Sequence, residues 1–312
     1  MIEVRKYEFS LQKEWDEFVS KSRTDSFLFY RDFMDYHADR FADYSLMIYR
    51  KGRLDAILPG NIKDGIFYSH QGLTYGGIIV SKSSSAIDIL SYFNSINEQL
   101  KSEGVTHVIY KAVPYIYNLL PSQEDLYALF ILKAERIGSN LSSTIYQDNK
   151  VAFTESRKSG LRKAKNSDIT IQQQEDFSAF WDILNDNLLH THGAKPVHSH
   201  DEITMLSKIF PANIINYNCA LGGEIVAGCV LFIMKNVVHV QYISANETGK
   251  FTGALDLLFD YLINEKYREI AYFDFGQSTE KMGEILNENL IFQKEGFGGR
   301  GVTYDIYKYA IN

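Results

Sequence analysis

A chain of 312 residues with 45% hydrophobic and 23% charged side chains is long enough for two domains with cores of their own, and is neither disordered nor fibrous. A formal charge of −7 argues against a protein whose main task is gripping DNA, since that affinity rests on Lys and Arg neutralising phosphates. Only Cys219 and Cys229 occur, which excludes a disulfide framework and a Cys-rich metal centre.

The opening residues contain no apolar signal core, and no apolar run is long enough to cross a bilayer, so the expected location is cytoplasmic, with no transmembrane segment. Leu11, Trp15, Phe18 and Val19 recur at helical spacing, and a second helix follows through Phe29, Phe33 and Tyr36. Residues 44–50 and 53–58 read as strands joined at Lys51-Gly52, where glycine suits the positive φ of a tight hairpin. A third strand is expected at 65–70. A helix striped by Ile89, Phe93, Ile96 and Leu100 ends at Gly104, a strand runs over 106–113, a helix starts near Ser122, and a strand spans 141–147.

The same order then returns. Phe177, Trp181, Leu184 and Leu188 mark one helix, and Ile203, Leu206 and Phe210 another. Strands at 215–221 and 225–234 are joined at Gly222-Gly223, and 237–244 forms the third. Gly223 follows Gly52 by 171 positions (223 − 52), and the same offset carries Ala56 onto Ala227. A long helix shows Leu255, Leu258, Phe259, Leu262 and Ile263 on one face, before a strand at 270–275, a helix through Leu290 and a final strand at 302–309. This predicts an α/β chain (α+β, mixed sheets) of two tandem acetyltransferase-like domains, 1–150 and 151–312. The connection at 147–159 has no flexible Gly/Ser linker.

Three stretches of the second half carry a resemblance: residues 156–165 (SRKSGLRKAK), Phe273-Asp274-Phe275-Gly276-Gln277-Ser278, and the series from Leu286-Asn287 through Leu290 and Lys294 to Phe297-Gly298. In their order they resemble the tandem GNAT-like (acyl-CoA N-acyltransferase) proteins related to the Fem peptidoglycan aminoacyltransferases, over nearly the whole chain. Residues 69–77 (SHQGLTYGG) are similar to a motif of bacterial acetyltransferases. The resemblance implies acyl transfer onto an amine, with the donor in the second half and the acceptor in a cleft between the halves. It also places Gln277 and Lys294 at the substrate. Two departures stand out: there is no room for the long helical arm of many aminoacyl-tRNA-dependent Fem enzymes, and the acetyltransferase pyrophosphate signature is incomplete.

The donor pyrophosphate is expected at the start of the long second-half helix, where free N–H groups favour an anion. The residues assigned to it are Ile243, Ser244, Thr248, Gly249, Lys250, Thr252, Gly253 and Ala254, and Gly253→Val is expected to cost donor binding while sparing the fold. Asp274 is the candidate to orient or deprotonate the amine, and Tyr242 to protonate the leaving group. His239 is a third candidate, but strict alternation sets it on the opposite face from Tyr242, where it reads rather as a satisfied histidine. Tyr75 and the loop histidines His190, His192 and His198 are assigned to the acceptor pocket, and no metal is expected because no zinc-type spacing accompanies the histidines. The basic run from Arg157 to Lys165 reads as a solvated face or as a grip on tRNA phosphate. Gly296-x-Gly298-x-x-Gly301 lies too near the end of the sequence for a dinucleotide site, and Asp274-Phe275-Gly276 has no companion kinase loop.

The function expected from these readings is an acyltransferase using acetyl-CoA or another acyl-CoA, acting on a small molecule or a cell-envelope sugar or peptide precursor. The alternatives are an aminoacyl-tRNA-dependent ligase and a non-catalytic binding module.

Overall fold

The computed structural model describes residues 2–192 and 195–311. The chain opens with β1 (Ile2–Lys6), α1 (Gln12–Lys21), α2 (Arg31–Met34), the hairpin β2 (Leu46–Arg50) and β3 (Arg53–Leu58), the short hairpin β4 (Asn61–Lys63) and β5 (Ile66–Tyr68), and β6 (Ile79–Val80). There follow α3 (Ala86–Ser102), β7 (His107–Lys111), α4 (Glu124–Ile131), β8 (Glu135–Tyr146), α5 (Glu155–Lys165), β9 (Ile169–Gln174), α6 (Ser178–His192) and α7 (His200–Ile209). The strands β10 (Ile214–Leu221), β11 (Glu224–Ile233) and β12 (Val237–Ala245) lead to α8 (Glu247–Thr252), α9 (Ala254–Tyr261) and β13 (Tyr272–Gln277). The chain closes with β14 (Thr279–Glu280), β15 (Ile285–Leu286), α10 (Glu288–Gly296) and β16 (Arg300–Ala310).

These elements form two compact units: unit 1 is Met1–Leu141, Thr279–Leu286 and Thr303–Asn312, and unit 2 is Ser142–Ser278 and Asn287–Val302. The units are therefore not the sequential halves divided at residue 150, and strand pairing is the reason. The end of β8 joins unit 2, with Ile145 opposite Phe273 on β13, and the end of β16 joins unit 1, with Tyr309 opposite Val108 on β7. Each unit completes its sheet with a strand from the other half of the sequence. In unit 2 the strand order is β8-β13-β12-β11-β10-β9, and only the β12–β13 pairing is parallel. In unit 1, β1-β2-β3-β6 form one sheet, while β4-β5-β7-β16 belong to a second.

The repeat is written into the hairpins. Both turns, Lys51-Gly52 (φ 53° and 77°) and Gly222-Gly223 (φ 60° and 90°), have two successive positive φ values, whose twist matches that of paired strands. Each hairpin also carries one bulge. Ile48 faces Ala56 and Tyr49 faces Leu54, leaving Asp55 extra; Cys219 faces Ala227 and Ala220 faces Ile225, leaving Val226 extra. The bulged residues lie 171 apart (226 − 55), the offset of the turns themselves. The third strand departs from the repeat. The expected strand at 65–70 appears as β5, which pairs with β7, and β6 takes the place beside β3.

Each unit has an apolar core. In unit 1, Ile89, Phe93, Ile96 and Leu100 of α3 pack with Leu46, Ile48 and Val108; in unit 2, Leu258 and Phe259 of α9 pack with Cys229, Leu231, Val238 and Val240. Full burial of each such aliphatic or aromatic side chain stabilises by roughly 1.5–3 kcal/mol.

One ionisable pair sits in the unit 1 core. Tyr110 Oη donates to Asp125 Oδ2 at 2.7 Å and accepts the Ile78 N–H at 2.8 Å. Burial pushes the Asp125 carboxyl up to about 6, against the hydrogen bonds from Tyr110 and Leu126. A carboxyl raised above its unfolded value contributes stability that is full below about pH 4 and lost as pH rises through 6. Urea midpoints of the wild type should therefore fall between about pH 4 and 7. Asp125→Asn, which cannot ionise, should remove on the order of 2 kcal/mol of that decline.

Candidate active site

Asp274 is the third residue of β13, between Phe273 and Phe275, and has no exposed surface. A carboxylate in that position is tolerated only if its lone pairs are met. Thr144 Oγ1 donates to Oδ1 at 2.7 Å, Ser142 Oγ donates to the same oxygen, and His239 Nδ1 meets Oδ2 at 2.7 Å. Burial pushes the Asp274 carboxyl up, but the hydrogen bond and charge of His239, with Ser142 and Thr144, bring it down to about 2. Thr144 and His239 are its direct cross-strand neighbours on β8 and β12, so the register itself assembles the group.

With Nδ1 donating to the carboxylate, Nε2 becomes the basic nitrogen of the neutral imidazole. The His239 side chain is 14% exposed, against 0% for Asp274. The parallel β12–β13 pairing ends at His239–Asp274, so the dyad stands where these strands stop pairing.

His239 is the residue the sequence placed wrongly. On β11, Val230 and Phe232 share a face, and their partners on β12 are Tyr242 and His239. A bulge at Gln241, between the Val230 and Leu231 registers, cancels the alternation and brings Tyr242 and His239 onto one face. Ser142 and Thr144 also escaped the sequence reading. They carried no distinguishing signal, being two hydroxyls in a strand that is itself largely polar.

Lys294 of α10 is 5% exposed, and its Nζ donates to the carbonyls of Gly276 at 2.8 Å and Gln277 at 2.7 Å. Burial lowers its amine to about 8, opposed by the Asp274 charge. The expected pair Gln277 and Lys294 thus meets through the Gln277 main chain, and Lys294 ties down the turn after Asp274. Tyr242 is 8% exposed; its oxygen accepts the His198 N–H at 3.0 Å and lies 2.5 Å from His198 Nδ1, and burial pushes the phenol up to about 12. His198 and Tyr242 are therefore brought together, with Trp181 edge-on to the phenol ring. The side chains of His190 and His192 lie outside the described residues. Among the described residues, no group of three or more His, Cys, Asp or Glu gathers to hold a metal.

The expected pyrophosphate turn is closed. Residues 247–252 are helical, and the Asn246 side chain caps Gly249 N. A Cβ on Gly249 would lie 2.2 Å from Val226 O, and one on Gly253 (φ 78°) would lie 2.4 Å from Gly160 O of α5. Both glycines are thus required by close backbone packing. Thr252 Oγ1 donates to Thr248 O at 2.8 Å, Lys250 Nζ donates to Glu247 at 2.7 Å, and Ala254 is fully buried in the core. Ile243 packs against the same core, while Ser244 Oγ accepts from Asn187 Nδ2 at 2.7 Å. At Gly249 and Gly253 the space beside the glycine is therefore taken by backbone of the chain itself.

Two further groups of the sequence reading have definite places. Tyr75 is 2% exposed in unit 1, bonded to Ser26 Oγ and packed on Tyr117, Tyr304 and Phe29, so it is a core residue. The basic run on α5 is largely paired: Arg157 with Asp256, Lys165 with Asp260, Arg162 with Glu155, and Lys163 over the Phe251 ring.

The sequence matches no protein-family profile and no functionally curated protein. Solved structures do match. FemX superposes with a TM-score of 0.70 at 13% identity, covering 99% of this chain and 97% of FemX. The C-terminal domain of a putative lysylphosphatidylglycerol synthetase from Agrobacterium fabrum gives 0.58 at 12% identity over 96% and 92%. A conserved Bacteroides thetaiotaomicron protein of unknown function gives 0.61 at 12% identity over the full length of both chains. The chain shares the FemX fold, a mixed α/β fold of the tandem type that the motifs of the second half implied.

Proposed function

We propose that this protein is an N-acyltransferase, and that the Asp274–His239 pair is its base. The observation that carries this reading is the buried carboxylate, hydrogen-bonded by Ser142, Thr144 and His239, holding a mostly buried imidazole where β12 and β13 stop pairing. An attacking amine must shed a proton as its nitrogen bonds to the acyl carbon. His239 Nε2 takes that proton, and Asp274 stabilises the imidazolium. The C–O or C–S bond to the carrier then breaks, and the proton passes to the leaving oxygen or sulfur, with Tyr242 on the same face as a second donor. Lys294 keeps the turn after Asp274 in place.

The donor is an activated ester or thioester. Acyl-CoA suits the acetyltransferase-like plan, but backbone fills the space beside Gly249 and Gly253 that a pyrophosphate was expected to use, which favours an aminoacyl ester such as aminoacyl-tRNA. The lysylphosphatidylglycerol synthetase and FemX likenesses support the same choice. The acceptor class is a small-molecule amine or a cell-envelope precursor.

Calorimetry with acetyl-CoA, CoA and charged tRNA tests this. Saturable binding of charged tRNA alone is the expected result. CoA binding would move the donor assignment to acyl-CoA, and binding of neither would make the chain a non-catalytic module.

A further inference from the structure

The two bulged hairpins differ in one chemical respect. In unit 2 the bulged Val226 carbonyl accepts the N–H of Asn246, the cap of α8, at 3.0 Å; in unit 1 the bulged Asp55 carbonyl accepts the N–H of Ser81 at 2.9 Å, shortly before α3. The backbone plan is shared, but one bulge carries an isopropyl group and the other a carboxylate. That carboxylate has no exposed surface. It accepts from Arg50 Nε at 2.6 Å, Ser81 Oγ at 2.9 Å, Arg53 Nη2 at 3.2 Å and the Tyr92 hydroxyl, with Ser84 Oγ at 3.4 Å. Two guanidinium groups, two serine hydroxyls and a phenol thus converge beside the start of a 17-residue helix, whose dipole also favours negative charge.

This is the donor set of an oxyanion site, and the oxyanion in it belongs to the chain. We infer that unit 1 contains a complete oxyanion cradle whose permanent occupant is the Asp55 carboxylate, so that unit 1 takes no anionic ligand there while Asp55 is present. Burial pushes the Asp55 carboxyl up, yet the bonds from Tyr92, Arg50 and Ser81 hold it below the usual carboxylate range, as an ion kept charged requires. The inference is independent of the transfer chemistry placed in unit 2. It sets the unit 1 bulge, filled by its own carboxylate, apart from the unit 2 bulge, filled by the Val226 isopropyl group.

Emptying the cradle tests it. Asp55→Ala removes the carboxylate and leaves Arg50, Arg53, Ser81 and Tyr92 facing a gap large enough for formate. Its melting temperature should fall, then recover by about 3 °C or more with sodium formate, saturably, while sodium chloride at equal ionic strength gives no comparable recovery. Wild type should show no formate-specific shift. Asp55→Asn fills the gap with a neutral amide and should be destabilised without recovery. If Asp55→Ala does not fold in chloride, refolding from urea in formate should restore soluble protein. The inference is overturned if formate and chloride act alike on Asp55→Ala in both melting and refolding, or if wild type shows the same formate shift.

Discussion

Asp274→Asn is expected to lower kcat by about 10²–10⁴-fold while leaving KM for the donor within a few-fold of wild type. The amide is nearly isosteric with the carboxylate, so its cost is electrostatic and tautomeric. If the amide NH2 turns toward His239, Nδ1 must accept instead of donate, the ring proton moves to Nε2, and the base is lost. If the amide oxygen turns that way, the tautomer survives, but the negative charge that stabilises the imidazolium is gone. The hydroxyls of Ser142 and Thr144 can donate or accept, so either orientation is compatible with folding. Initial rates across pH 5–9, with circular dichroism on both proteins, give the check. A variant that keeps its fold and loses less than about tenfold in kcat would remove Asp274–His239 from the chemistry.

Stability moves with the same carboxyl. Because the folded-state value is depressed to about 2, the Asp274 contribution is fully present above roughly pH 4 and is lost as pH falls toward 2. Asp274→Asn should therefore cost stability at neutral pH and progressively less in acid. The pH dependence of the urea midpoint distinguishes this from a packing defect, whose cost would not change with pH.

Gly253→Val is expected to damage the fold, in contrast to the donor-binding defect that the sequence implied. The residue sits at φ 78°, which a β-branched side chain strongly resists, and a Cβ there would lie 2.4 Å from Gly160 O and 2.9 Å from Gly160 C. The obstacle is α5 backbone, which cannot swing aside like a side chain. A loss of about 4 kcal/mol or more is expected, with low soluble yield. Urea denaturation measures it. A variant as stable as wild type would mean that α5 stands off from Gly253 in solution.

The hairpin repeat was legible because it is local. Lys51-Gly52 and Gly222-Gly223 needed only the steric preference of glycine for positive φ, and the stripes at Ile89–Leu100 and Leu255–Ile263 needed only the helical period. The motif around Asp274 likewise pointed to the residue on which the proposed base is built. What the sequence could not supply was register. One extra residue at Gln241 reverses every facing beyond it, which is why His239 ranked behind Tyr242 although it is the partner of Asp274. Ser142 and Thr144 join the site only because β8 crosses into unit 2 and pairs there, a contact made across more than a hundred residues of chain. The glycines at 249 and 253 carry the same lesson. A sequence shows that a side chain is absent, but only the packed structure shows whether backbone or ligand needs the space, and here Val226 and Gly160 fill it.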